Sequence, residues 1–253
     1  MIVYSRPPYP DMVYPYIIIN MFDETSFRYI NPRTTKSVII DSGVHTIFHR
    51  YTFKEYPGGY KAWIAKAVKW WNAVKMQISD VYAVVSDYPS DYENNPIDDN
   101  IERTIRNIEY AVAKYPNVRW IIPIQGKKDD VVSVIKTFDQ VVNMGILERY
   151  DYIAIAPTCT TRNIKFLKDV AVLIWKRIKQ IEENSRLIKI HMFGTSIKSW
   201  KHIAPYIDST DTITTNYWCL VLFGKMCTTR EEKEKAWQIF LQKASEVTLI
   251  NRL

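Results

Sequence analysis

The chain has 253 residues, 47% hydrophobic and 24% charged, with 34 basic against 27 acidic side chains and a net charge of +7. That length accommodates a single α/β barrel, and the composition excludes a disordered or collagen-like chain. Seven glycines argue against a loop-rich all-β protein, no apolar run approaches the roughly 18 residues needed to span a bilayer, and the positive charge is compatible with a polyanionic partner without demanding one.

The start, MIVYSRPPYPDMVYP, lacks a basic stretch followed by an apolar one. No signal peptide is therefore expected, and the expected location is cytoplasmic, with no membrane partner. Two short apolar runs, MIVYS and YPYIIIN, are candidate strands too close together to hold a full helix between them. Val38-Ile39-Ile40 predicts a buried strand that stops on Asp41-Ser42-Gly43. Beyond it, Trp63, Ala67, Trp70 and Val74 recur at helical spacing. VYAVVSDYP predicts a strand ended by Pro89, and PIDDNIERTIRNIEYAVAKYP a helix opened by acids and closed before Pro116. RWIIPIQG is the next strand, and DDVVSVIKTFDQVVNMG the next helix, with Gly145 suited to its end. YDYIAIAPT and LIKIHMFGT are strands followed by the helices TRNIKFLKDVAVLIWKRIKQIEEN and IKSWKHIAPYI. DTITTNYW is expected to be the last sheet element, and TREEKEKAWQIFLQKASEVTLI the closing helix.

Strand–helix alternation of this kind predicts a parallel sheet, either a closed barrel or an open doubly wound sheet. The glycine-rich phosphate signatures of nucleotide folds are missing. The expected fold is an α/β, (β/α)8 TIM-type barrel, irregular at its N-terminal strands, forming a single domain over residues 1–253. Cys159, Cys219 and Cys227 are odd in number and contain no Cys-x-x-Cys, so neither a disulfide framework nor a zinc ribbon is indicated, and Cys219 and Cys227 are expected to be core thiols. His191, His202, Cys219 and Cys227 fit no standard zinc spacing, and no metal or cofactor is expected.

Polar residues recur where the predicted strands end: IIDSG, VVSDYP, IPIQG, HMFGTS and DSTDTIT. One strand-end Asp is ordinarily a turn or a helix cap. In a parallel barrel, however, all carboxyl ends lie on one face, so Asp41, Asp87, Gln125 and an Asp near residue 211 would converge on one mouth.

This ordered set resembles the tRNA-guanine transglycosylases, and more closely their DNA-acting relatives, the 7-deazaguanine DNA transglycosylases. The motifs that carry the likeness are Asp41-Ser42-Gly43-Val44-His45, Ser86-Asp87-Tyr88-Pro89, Gln125-Gly126, IAIAPT, HMFGTS, and Ser209-Thr210-Asp211 with Trp218 downstream. They match in order and rough spacing from about residue 37 to residue 220. The resemblance implies exchange of guanine for a 7-deazaguanine in DNA or tRNA through a covalent aspartyl-sugar intermediate. It assigns the nucleophile to Asp211, with Asp208 as the alternative, and the general acid/base to Asp41. Asp87, Gln125 and Gly126 would bind the base edge, and His45 and Met192 would cover its faces. Arg162, Lys198 and Lys201 are candidates for holding phosphates. The implied partners are a DNA or tRNA substrate and the free 7-deazaguanine base, and a homodimer is compatible with the sequence.

The chain departs from the family pattern at Val44, where a second Gly is usual, at His45 in place of Phe or Tyr, and at Pro157, which removes a backbone donor. It also lacks the cysteine-rich zinc site of the tRNA enzymes. Two rival readings stay open: a decayed barrel that only binds nucleic acid, and a nucleoside or glycoside hydrolase using the same carboxylate pair.

Overall fold

The computed structural model describes residues 1–90, 97–181, 187–212 and 214–250. Among them run eight parallel strands: β1 (Ile2–Tyr4), β2 (Tyr16–Asn20), β3 (Ser37–Asp41), β4 (Asp80–Val84), β5 (Trp120–Ile124), β6 (Tyr152–Ile155), β7 (Lys189–Met192) and β8 (Ser209–Asp211). They neighbour one another in the order β1-β8-β7-β6-β5-β4-β3-β2. The seam between β1 and β2 closes through Ser5, which donates its N–H to the Tyr16 carbonyl at 3.0 Å and accepts from Ile18 N–H at 3.4 Å. The expected TIM-type barrel is therefore what this chain forms.

Seven α-helices flank the strands: α1 (Tyr60–Lys75), α2 (Ile97–Lys114), α3 (Val131–Asn143), α4 (Ile164–Ile181), α5 (Ile197–Ile203), α6 (Thr214–Phe223) and α7 (Arg230–Ile250). The irregular start is also as the spacing predicts. No helix separates β1 from β2, and a six-residue 3-10 helix, Glu24–Tyr29, replaces an α-helix before β3. Gly145 takes the left-handed conformation just beyond α3, φ 68°, and donates to the Val142 carbonyl, closing the helix as a glycine in that position does.

Strand side chains alternate between two packed layers. Val38, Ile40, Ile122 and Met192 face the helices, where they meet buried faces such as Trp63, Trp70 and Trp71 of α1. Ile39, Tyr82, Val84, Ile121, Tyr152 and Ala154 fill the barrel interior. Each fully buried large side chain contributes roughly 1.5–3 kcal/mol of apolar transfer energy, so the outer layer carries most of the stabilisation.

Two expectations are corrected. DTITTNYW is not a strand throughout: β8 ends at Asp211, and residues 214–223 form α6. Strand propensity in Thr, Ile and Tyr yields there to packing of α6 against α7. Cys219 and Cys227 are not separate core thiols but a disulfide, with Cα atoms 5.3 Å apart. The chain reverses after α6 at Gly224, φ 63°, and that reversal brings the two sulfurs together. Their thiols are thus committed to each other. Among the described residues, no helix is long and apolar enough to cross a membrane.

Candidate active site at the barrel mouth

Following the inward register to the carboxyl ends of β2, β3 and β8, and one residue past β5, β6 and β7, places Asn20, Asp41, Asp211, Gln125, Ala156 and Phe193 around the mouth, since Ile18, Ile39, Ile121, Ala154 and Ser209 point inward below them. Asp41 occupies the end of β3 beside Asn20 of β2. Its turn is shaped by Gly43, whose φ of +78° brings the Ser42 and Gly43 N–H groups back onto the Asp41 carboxylate. A side chain at position 43 would put its Cβ 2.7 Å from Asn20 Oδ1. That oxygen accepts from Phe22 N–H at 2.8 Å, and the Asn20 amide donates to Thr46 at 3.1 Å. From outside, α1 pins the same turn: Trp63 Nε1–H donates to the Ser42 carbonyl at 2.8 Å.

Asp87 is buried at 2% exposure. Its Oδ1 accepts from the Ser42 hydroxyl at 3.2 Å and its Oδ2 from the Gln125 amide. The Gln125 carbonyl oxygen in turn accepts from Ser90 Oγ at 3.1 Å. Gly126 lies directly beneath α3, where any Cβ would come 2.5 Å from Val134 Cγ2 and 2.8 Å from the Val134 backbone nitrogen. Its place in the structure is close helix approach, and its carbonyl accepts from Ser90.

Asp211 closes the set. Its Oδ1 takes two hydrogen bonds, from Gly194 N–H at 2.9 Å and from His191 Nε2 at 3.0 Å. Asp208 is placed differently. Its carboxylate accepts from Ile190 N–H at 2.8 Å, at the amino end of β8, so it faces away from the mouth. Three residues of strand separate the two acids, about 10 Å along the barrel.

The other two mouth carboxylates act on Asp41. Burial first, then the charges of Asp211 and Asp87, push the Asp41 carboxyl up from 3.8 to about 7, while the N–H groups of Gly43 and Ser42 pull it down. Asp41 and Asp211, on strands separated by β1 and β2, therefore meet electrostatically across the mouth.

The remaining predicted site residues divide. His45 is exposed at the start of a π-helical turn, residues 45–50. Arg162 is exposed in the loop between β6 and α4, and Lys198 on the first turn of α5, both on the mouth side. Lys201 is exposed one turn further along α5. Met192 is not at the mouth. It is fully buried in the layer between strands and helices, one residue out of phase with the interior. Phe193 takes the inward position instead, its ring centroid 4.9 Å from that of His191.

Sequence reasoning missed four groups. Phe193 was legible from strand alternation in KIHMF. Asn100, Thr104 and Asn107, all fully buried, form a polar stripe on one face of α2. Asn100 donates to the Pro89 carbonyl at 2.7 Å, Asn107 to the Ser86 carbonyl at 2.7 Å, and Thr104 accepts from Tyr88 N–H at 2.8 Å, so the stripe grips the loop that carries Asp87. Ser90 holds Gln125, and His191 with Ser209 lies beneath Asp211. A surface groove of about 770 Å³ between α3 and α4, bridged by Arg177 and Asp139 at 2.6 Å, lies on the barrel's outer side, away from these carboxylates.

No protein-family model matches this sequence, and no curated protein is significantly similar to it.

Proposed function

We propose that the chain is a pentosyltransferase that exchanges guanine for a 7-deazaguanine in a polynucleotide, DNA or tRNA. The observation that carries this reading is the division of labour among the mouth carboxylates. Asp41 keeps a proton near neutral pH. Asp211 has one oxygen anchored by Gly194 and His191, while its Oδ2 takes no hydrogen bond among the described residues. Environments that separate two carboxyl groups in this way define an acid and a nucleophile.

Asp211 Oδ2 attacks the anomeric carbon, the carbon–nitrogen bond to guanine breaks, and its electron pair leaves on the base with the proton of Asp41. In the second half, ionised Asp41 takes the N9 proton of the incoming base. That nitrogen attacks the sugar, and the ester to Asp211 breaks. The Gln125 amide donates to Asp87. Gln125 has a second amide N–H for a base carbonyl, and the Asp87 carboxylate is the acceptor proposed for the ring and amine donors of the base. Phe193 stands at the mouth as a stacking face.

A polynucleotide, rather than a small glycoside, is supported by the loop that follows β3. Arg50, Tyr51, Phe53 and Lys54 are all exposed there. Phe22, Tyr51 and Phe53 form a ladder of rings, with centroids 5.0 and 5.9 Å apart and planes about 30° off parallel. Aromatic rings interleaved with cations suit stacked bases and their phosphates.

The test is incubation with labelled guanine or a labelled 7-deazaguanine and either DNA or tRNA. Incorporation without strand cleavage is expected, together with a denaturation-resistant protein–nucleic acid adduct that Asp211→Asn abolishes. Release of free base with no uptake would replace this reading with a hydrolase. Binding with neither reaction would leave a nucleic-acid-binding barrel.

A further inference from the structure

We propose that His191 is a positioning residue that selects the attacking oxygen of Asp211, and that a hydroxyl chain through the barrel interior holds its ring in place. This rests on reading Asp211 as the nucleophile. His191 is fully buried, and both ring nitrogens are taken. Nε2 faces Asp211 Oδ1 at 3.0 Å, and Nδ1 faces Ser209 Oγ at 2.7 Å. Ser209 Oγ is also 2.5 Å from the Tyr152 hydroxyl. Three links thus join four groups, and three hydrogens are available to fill them: one each on Tyr152, Ser209 and a neutral imidazole. A carboxylate can only accept, so the chain has one complete solution. Tyr152 donates to Ser209, Ser209 donates to Nδ1, and Nε2–H donates to Asp211.

The imidazole cannot serve as a base toward substrate. The rings of Tyr4, Tyr152 and Phe193 surround it, with centroids 6.2, 6.4 and 4.9 Å away, whereas the Asp211 side chain retains 15% exposure. What His191 does is hold Oδ1 down together with Gly194 N–H, turning Oδ2 to the mouth. The two donors approach from β7 and from the turn after it, so the carboxylate plane is fixed at two points. Without the Ser209 hydroxyl, Nδ1 loses its donor. The carboxylate still demands a donor, so the hydrogen stays on Nε2, but the ring is left anchored at one nitrogen only, and the carboxylate plane is released. Orientation errors of this kind cost on the order of 10²-fold in rate.

The experiment uses the intact protein labelled with ¹⁵N-histidine. Nitrogen NMR of the His191 ring should show hydrogen on Nε2 and an Nδ1 that accepts a hydrogen bond in the wild type, and in Ser209→Ala the same tautomer with the Nδ1 resonance shifted to that of a nitrogen without a donor. In the exchange assay, Ser209→Ala and His191→Ala should lower kcat by about 10²-fold with KM for the polynucleotide unchanged. His191→Gln, whose amide nitrogen can occupy the Nε2 position, should recover much of the loss. A wild-type ring protonated at Nδ1, an Nδ1 resonance indifferent to Ser209→Ala, or variants with wild-type kcat would each overturn the proposal. If the wild type exchanges no base, the function proposed above fails, and the NMR comparison alone decides whether Ser209 donates to the His191 ring.

Discussion

Replacing Asp41 with Asn should make the stability of this protein markedly less sensitive to pH. Burial and the neighbouring charges of Asp211 and Asp87 raise the folded-state pKa of Asp41 to about 7, against 3.8 for an unperturbed aspartate. Between those values the native state holds a proton that the unfolded chain has released. Stability therefore falls as pH rises through the window, and the loss is complete above the folded value. Three pKa units correspond to about 4 kcal/mol. Asparagine binds no proton and escapes that loss. Unfolding both proteins in urea at about pH 4 and about pH 8 gives a difference of differences in which the constant effect of the substitution cancels. The variant should gain about 4 kcal/mol on the wild type between the two conditions, equivalent to roughly 10 °C in Tm for a chain of this size. A gap that stays the same at both pH values would mean that Asp41 ionises as an ordinary surface carboxylate. The general-acid assignment would then have no physical basis, whatever the assay for base exchange showed.

The charge of Asp211 is the larger of the two carboxylate contributions at Asp41, so Asp211→Asn should shrink that pH-dependent loss as well as abolish exchange; an unchanged urea profile would separate the two acids. Gly126→Ala should destabilise by about 2–3 kcal/mol through overpacking against α3, measured by urea midpoint. Trimming Val134 to Ala should recover only part of it, because the backbone nitrogen of residue 134 lies within 2.8 Å of the new Cβ. The double variant Tyr51→Ala, Phe53→Ala should weaken binding of a single-stranded oligonucleotide by tenfold or more, since each lost base stack costs about 1–3 kcal/mol. Arg50→Ala with Lys54→Ala should flatten the salt dependence of that affinity. An oligonucleotide affinity indifferent to all four positions would remove the loop from the substrate path.

Most of the barrel was legible because its outer layer obeys simple periodicities. Trp63, Ala67, Trp70 and Val74 fall on one helical face, and Val38-Ile39-Ile40 is buried on both sides, as a parallel strand surrounded by helices must be. The C-terminal part was less so. Residues 214–223 are held as a helix by α7 and by the disulfide to Cys227, tertiary causes that local propensity does not contain. The strand-end acids could be read one by one, but their pairing could not: that Asp87 engages Gln125 depends on β4 lying beside β5, and that Asp41 senses Asp211 across two strands depends on the closure of the sheet.

The inward placement expected of Met192 and the mouth position of Asp211 turn on the same question of strand phase. In a strand, a shift of one residue exchanges the helix side for the barrel interior, so a motif matched only by rough spacing can fall on the wrong face. Met192 and Phe193 are both large and apolar, and composition does not choose between them. The hydrogen-bond inventory does. His191 must be inward because both its nitrogens find partners there, Ser209 on one side and Asp211 on the other, and a buried imidazole without them would be costly. Fixing His191 inward fixes Met192 outward and Phe193 inward, and the parallel pairing of His191 with Ser209 carries the same phase to Asp211. The interior of this barrel is lined with hydroxyl-bearing residues, Tyr4, Ser37, Tyr152 and Ser209, where layers of branched aliphatic side chains are usual. Such residues within strands, each needing a partner, constrain register more tightly than apolar ones do. The polar residues of β7 and β8 are thus a stronger guide to the mouth than the apolar pattern around them.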